Sequence, residues 1–219
     1  MLNADMSIAA VVYSSAMVWQ SSPSSTVSRK RFHLVGEAES GQVTSLVQYH
    51  PGASFPAHPH PGGEEILVLS GVFSDETGNW PIGSYLLNPA GFTHAPYSKA
   101  GCRLLVKLSQ YPGVKPARLA VDSLEATEVD GVDCKLLYSN MIEKTVVTKL
   151  EEGQVIGKTF EGGCEGFVLA GNVNVNGADL RQHDWFRFPD GDSVRLLSQG
   201  CSLYLKFGAV SQLSSHPCG

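Results

Sequence analysis

The chain has 219 residues, 42% of them hydrophobic, which is enough for one large or two small packed domains. Sixteen basic against 21 acidic residues give a formal charge of −5, and no basic block could track a phosphate backbone, so nucleic acid is excluded as an expected direct partner. Five widely spaced cysteines with no C-x-x-C pair argue against a disulfide framework or a cysteine metal site, and no run approaches the roughly 18 apolar residues of a membrane helix; both point to a reduced, cytoplasmic setting.

The opening MLNADMSIAAVVYSSAMVW has an apolar stretch, but it carries Asp5 and no Lys or Arg before that stretch, unlike a secretory leader, so it reads as part of the fold. Beyond it, QVTSLVQY (42–49), EILVLSG (65–71), GSYLLNP (83–89) and CRLLVKL (102–108) alternate with a period of two. TVVTKL (145–150), EGFVLAG (165–171) and SLYLKF (202–207) do the same in the second half. Turn signals ETGN, NPAG, YPG and PDGD stand at strand ends, and almost nothing repeats at a helical period. The fold class is therefore all-β, a sandwich or barrel of antiparallel strands.

The chain also repeats itself. HPGGEEILVLSG (60–71) and FEGGCEGFVLAG (160–171) agree at six of twelve positions. NPAG (88–91) then stands opposite FPDG (188–191), and RLLVKL (103–108) opposite SLYLKF (202–207) at an offset of 99. This is a tandem duplication, expected as one domain over 1–113 and a second over 114–219, with the linker near YPGVKPARLAVDSLEA (111–126).

The chemistry concentrates in the first copy, where residues 58–64 read HPHPGGE. Residues i and i+2 of a strand project from one face, so His58 and His60 point together; Glu64 keeps their parity, and Gly62 and Gly63 permit the turn that returns it on a neighbouring strand. His94, just after the NPAG turn, supplies a fourth side chain from another hairpin. Three imidazoles and one carboxylate with positions left open suit one divalent first-row metal ion per chain, and zinc, iron, manganese and nickel all fit these donors. Glu65 has the opposite parity and is expected to face away, toward a cation or solvent. His33, His50 and His216 read as surface or satisfied core residues, the cysteines as buried small hydrophobes apart from Cys218 near the end, and Tyr97, Phe92 and Trp80 as core more readily than as the mouth of a barrel. Carried forward by 100 residues, the four ligands become Lys158, Phe160, Cys164 and Val194, so no ligand set survives in the second copy. Cys164 with His183 makes a poor rudimentary pair. The second copy reads as a packing or dimerisation partner, with a small-molecule pocket as the alternative.

The spacing Gly52-x5-His58-x-His60-x3-Glu64-x6-Gly71, followed by Gly83-x5-Pro89-x-Gly91-x2-His94, resembles the two signature motifs of the cupin superfamily; only the asparagine usual four residues after the last histidine is replaced, by Ser98. NADMS, VWQSSPSSTVSR, the run from TSLVQYHPG to GFTHAP, and GCRLLVKL resemble more narrowly the ChrR-type cupin family, named for a bacterial anti-sigma factor. The resemblance implies two tandem jelly-roll barrels, the first holding zinc through His58, His60, Glu64 and His94. In the anti-sigma member a small helical domain with its own zinc site grips the sigma factor, through a histidine and a C-x-x-C pair ahead of the cupin. Here no cysteine precedes His58, so direct sigma-factor binding is not expected. A sensory or ligand-binding module, with no membrane or nucleic-acid partner and with homodimerisation open, is the functional expectation. The alternative is a ferrous dioxygenase acting on a small diketone-like or phenolic ketone substrate.

Overall fold

The computed structural model describes residues 1–110, 119–121 and 125–213. The expected linker at 111–126 falls largely outside them, as do His216 and Cys218. Among the described residues every regular element is a β-strand, apart from two single 3-10 turns at Ser14–Ala16 and Val210–Gln212. No helix among them is long and apolar enough to cross a membrane.

The strands form two barrels, one for each copy of the repeat. In the first unit the sheet runs, in order of pairing, through Leu119–Val121, Tyr85–Asn88, Glu64–Asp75, Cys102–Leu108, Gln42–Tyr49, Val27–Val35 and Gln20–Ser21. A short ribbon of His58–His60 against Phe92–His94 closes one end. In the second unit the order is Ala10–Val12, Trp185–Phe188, Cys164–Val175, Ser193–Phe207, Lys144–Leu150, Val132–Ser139 and Glu125–Val129. Alternation fills each interior: Ile66, Val68, Leu104 and Val106 join the first core, Val168, Leu196, Leu203 and Leu205 the second.

Chain segments divide between the units differently from a single cut after residue 113. Met1–Ala4 and Met17–Asp122 pack as one unit, while Asp5–Ala16 joins Ser123–Leu213 in the other. The reason lies in what the second unit would otherwise leave unpaired. Ala10–Val12 completes the ladder beside Trp185–Phe188. The Ser14 amide donates to Asp184 Oδ1 at 2.7 Å, and Arg187 Nη2 donates to the Asp5 carbonyl at 2.9 Å. Asp184 and Arg187 are buried, so each gains from this segment a polar partner beyond those within the barrel. The equivalent edge of the first unit, beside Tyr85–Asn88, is covered by Leu119–Val121.

Candidate metal centre

The paired ribbon brings the histidines together. His94 stands opposite His58 and Phe92 opposite His60, so all three imidazoles enter the barrel from one end. Ligand atoms of His58, His60 and His94 lie within 4.8 Å of one another. Gly63, at φ 79°, turns the chain after the ribbon and lets Glu64 begin the next long strand. The Glu64 Oε2 atom ends 3.4 Å from Nε2 of both His60 and His94, and those two nitrogens are 3.0 Å apart. Donors separated by these distances match bonds of about 2.1 Å from one centre at angles between roughly a right angle and the tetrahedral value.

Three of the four donors have a polar group behind them. His58 Nδ1 is 2.8 Å from the Pro56 carbonyl, which can only accept, so Nδ1 carries the proton and Nε2 keeps its lone pair. His94 Nδ1 faces Asp75 Oδ2 at 3.5 Å without a hydrogen bond, so the carboxylate stands behind that ring as an electrostatic neighbour. Asn88, buried and opposite Glu64 in the ladder, donates from Nδ2 to Glu64 Oε2 at 3.1 Å. Burial first, then the neighbouring rings of His94 and His58, lowers the pKa of His60 to about 3, so at neutral pH it is an uncharged donor. Three imidazoles beside a carboxylate, three of the four side chains buried, form a donor set that fits a divalent cation.

The site opens on a cavity of about 390 Å³. Besides the four side chains it is lined by Tyr49, Phe55, Phe73, Ile66, Leu104 and Arg29, among others. Trp80, Phe92 and Tyr97 are not in its wall: Trp80 packs against the core, and Phe92 sets its ring 5.7 Å from that of His94. Glu65 faces away from the donors, as its parity requires, but it is buried rather than solvated and stands directly opposite Lys107. Ser98, in place of the usual asparagine, is buried and donates to the Val72 carbonyl at 2.7 Å, so that position serves packing. His33 is a satisfied core residue between Asn3 and Gln42, whereas His50 is exposed.

The second barrel has no such centre among its described residues. Lys158 is exposed, Phe160 stacks on Phe207 with centroids 4.4 Å apart, and Cys164 and Val194 are buried in the core. The supporting residues are gone as well: Val175 stands where Asp75 does and Phe188 where Asn88 does. His183 lies against the Phe167 ring, and burial pushes the Cys164 thiol far up, so the two do not act as a pair of ligands. Burial likewise raises Cys102, to about 11, and raises Cys134 and Cys201.

Two tandem barrels of this topology, the first with three histidines and a glutamate converging inside it, make the protein a bicupin. Residues 7–112 match the family model described as the ChrR cupin-like domain. Among solved structures it is similar to a putative dioxygenase from Nostoc punctiforme, at a TM-score of 0.75 and 14% identity over 95% of this chain and 86% of that one. It is also similar to a bacterial pirin from Escherichia coli in complex with nickel(II), at 0.70 and 15% over 91% and 98%. A third is a quercetin 2,3-dioxygenase from Acinetobacter baumannii, at 0.57 and 14% over 82% and 77%. At these identities the likeness is one of fold. No curated protein sequence matches the chain significantly.

Proposed function

We propose that the first barrel holds one divalent metal ion through His58, His60, Glu64 and His94, zinc being the expected ion, and that it serves as a sensory module for a small organic ligand bound in the adjoining cavity. The observation that carries this reading is the convergence of four donors on the wall of a largely apolar space of about 390 Å³, within the size range of small-ligand sites. A divalent ion bound there supplies a Lewis-acidic position open to ligand exchange. The chain does the rest: Pro56 and Asn88 hold His58 and Glu64, Asp75 lies behind His94, and Phe55, Phe73 and Ile66 keep the cavity apolar. Sensing through cysteine oxidation is disfavoured, because all four described cysteines are buried with raised pKa values.

A second reading is a ferrous dioxygenase acting on a small diketone-like or phenolic ketone substrate. It is supported by the direct contact between the donors and the cavity, and by the dioxygenases named among the similar folds. Elemental analysis of protein purified without chelator tests the shared part, with about one divalent ion per chain expected. Oxygen uptake by the iron-loaded protein with small diketones and phenolic ketones then separates the two. Turnover would replace the sensory reading with the enzymatic one; binding without oxygen uptake supports the sensory one.

A further inference from the structure

The cavity of the first barrel carries a positive charge that the metal donors do not explain. Arg29 lies two residues after Val27 on the strand Val27–Val35, so it shares the inward face with that core valine, and its side chain lines the same cavity as His58, His60 and His94. It is only 8% exposed. Its Nη1 donates to Glu39 Oε2 at 2.8 Å, but its buried Nε has no hydrogen-bond partner among the described residues. Glu39 is not its private partner, because Arg31 Nη2 donates to the other oxygen at 3.0 Å, and the carboxylate is half exposed. Two guanidinium groups sharing one outward-leaning carboxylate leave a cation in excess beside an apolar space, with one edge of the Arg29 fork unmatched.

A second polar group points the same way. Tyr49 is buried and lines the cavity. Burial first, and then the Glu64 carboxylate, raises its pKa well above the ordinary phenol value, so it remains a hydrogen-bond donor. The duplication supplies an internal comparison. Leu104 pairs with Val47, which pairs with Arg29; in the second barrel Leu203 pairs with Thr148, which pairs with Cys134. By the same ladder Tyr49, opposite Cys102, corresponds to Leu150, opposite Cys201. Cys134 and Leu150 both sit in the packed hydrophobic core of the second barrel. The barrel that lost the donors thus also has apolar residues where the first has Arg29 and Tyr49, which ties these two side chains to what the cavity binds rather than to the fold.

We propose that the cavity of the first barrel binds a compact, mostly apolar monocarboxylate whose acid group is held by Arg29, assisted by Tyr49, with its other end turned toward His58, His60 and His94. This rests on the reading of the first barrel as a metal-centred small-ligand site and names the ligand class. A carboxylate matches the planar fork bidentately, and a single charge matches the single excess cation.

The test is calorimetric titration of the full chain, its metal content fixed beforehand by elemental analysis. The probes are hexanoate, 3-phenylpropanoate and 4-methyl-2-oxopentanoate, each beside its neutral amide. At least one acid is expected to bind about tenfold or more tighter than its amide. Arg29→Met should erase that preference without changing the metal content. Glu39→Gln, at a half-exposed position that folding tolerates, should tighten acid binding by removing the competing carboxylate. Equal binding of acid and amide, no binding of any probe, a preference that survives Arg29→Met, or no gain in Glu39→Gln would each overturn the proposal. Arg29-dependent acid binding by a protein that holds no metal would instead sink the metal reading and leave this one standing.

Discussion

Asp75 stands behind His94 through a relation that strict alternation conceals. Glu64 and Asp75 lie on one strand with opposite parity, which should place them on opposite faces. The pairing with Cys102–Leu108 slips between Arg103 and Leu104, where Val68 and Ser70 take successive partners and Leu69 is left over. That bulge turns the later, odd-numbered residues inward, so Phe73 joins the core and Asp75 reaches Nδ1 of His94. The clustering of the three histidines was legible from spacing; the carboxylate behind His94 was not, because no single-sequence signal marks the extra residue. If Asp75 orients His94, Asp75→Asn should weaken metal binding by about 10- to 100-fold with the protein still folded, measured by competition against a chelator of known affinity. An unchanged affinity would reduce Asp75 to a packing residue. The pKa of His60 gives a second expectation. The folded chain keeps this ring neutral down to about pH 3, whereas the unfolded chain protonates it near the ordinary value of about 6.5, so the unfolded state binds more protons between these limits. Stability of the metal-free protein should therefore fall as pH drops through that window. In His60→Gln the fall should be shallower, as read from urea midpoints at each pH.

The strand that opens the chain raises a different point. Its apolar stretch marked it as part of the fold, and the single cut after residue 113 placed it with the first barrel, whereas Ala10–Val12 pairs in the second. What decides it is the second barrel's buried polar groups. Asp184 accepts from the Ser14 amide at 2.7 Å through Oδ1 and from the Arg181 amide at 2.8 Å through Oδ2, so a single carboxylate fastens the incoming segment and caps a turn of the barrel. Removing it leaves two amides unpaired. Asp184→Ala is expected to destabilise by about 2–4 kcal/mol in urea unfolding, more than a typical single hydrogen bond, because both donors lose a charged acceptor. The same change should leave metal affinity untouched, since the site is built wholly from the other unit. A loss below about half a kcal/mol would show that the segment is held by its ladder alone. Elsewhere the repeat was legible down to its glycines. Gly71 and Gly171, at φ 72° and 73°, sit where an added Cβ would run into the carbonyls of Gly101 and Gly200, so each copy keeps the glycine for close approach of strands rather than for the site.

Duplication leaves two barrels with equivalent strand orders and very different interiors, and that contrast assigns the expected metal to the first. The first surrounds a cavity with donors, an arginine and a phenol; in the second, Phe160, Cys164, Val175, Phe188 and Val194 fill the corresponding positions. Metal that binds the folded first barrel and not the unfolded chain stabilises by mass action, by about 4 kcal/mol at a thousandfold excess over its dissociation constant. Both barrels bury extensive apolar cores independent of the ion, so the protein should remain folded without it, unlike small domains in which metal binding and folding are one event. Chelation is thus expected to lower the melting temperature while leaving the β-type circular dichroism spectrum intact at room temperature. The shift should disappear in His60→Ala and persist in Cys164→Ala or His183→Ala. Elemental analysis of the same preparations should give about one divalent ion per chain for the native protein and the second-barrel variants, and none for His60→Ala. Two tightly bound ions per chain would mean that the second barrel has kept a site of its own, while complete unfolding on chelation would mean that the first barrel depends on its metal to fold.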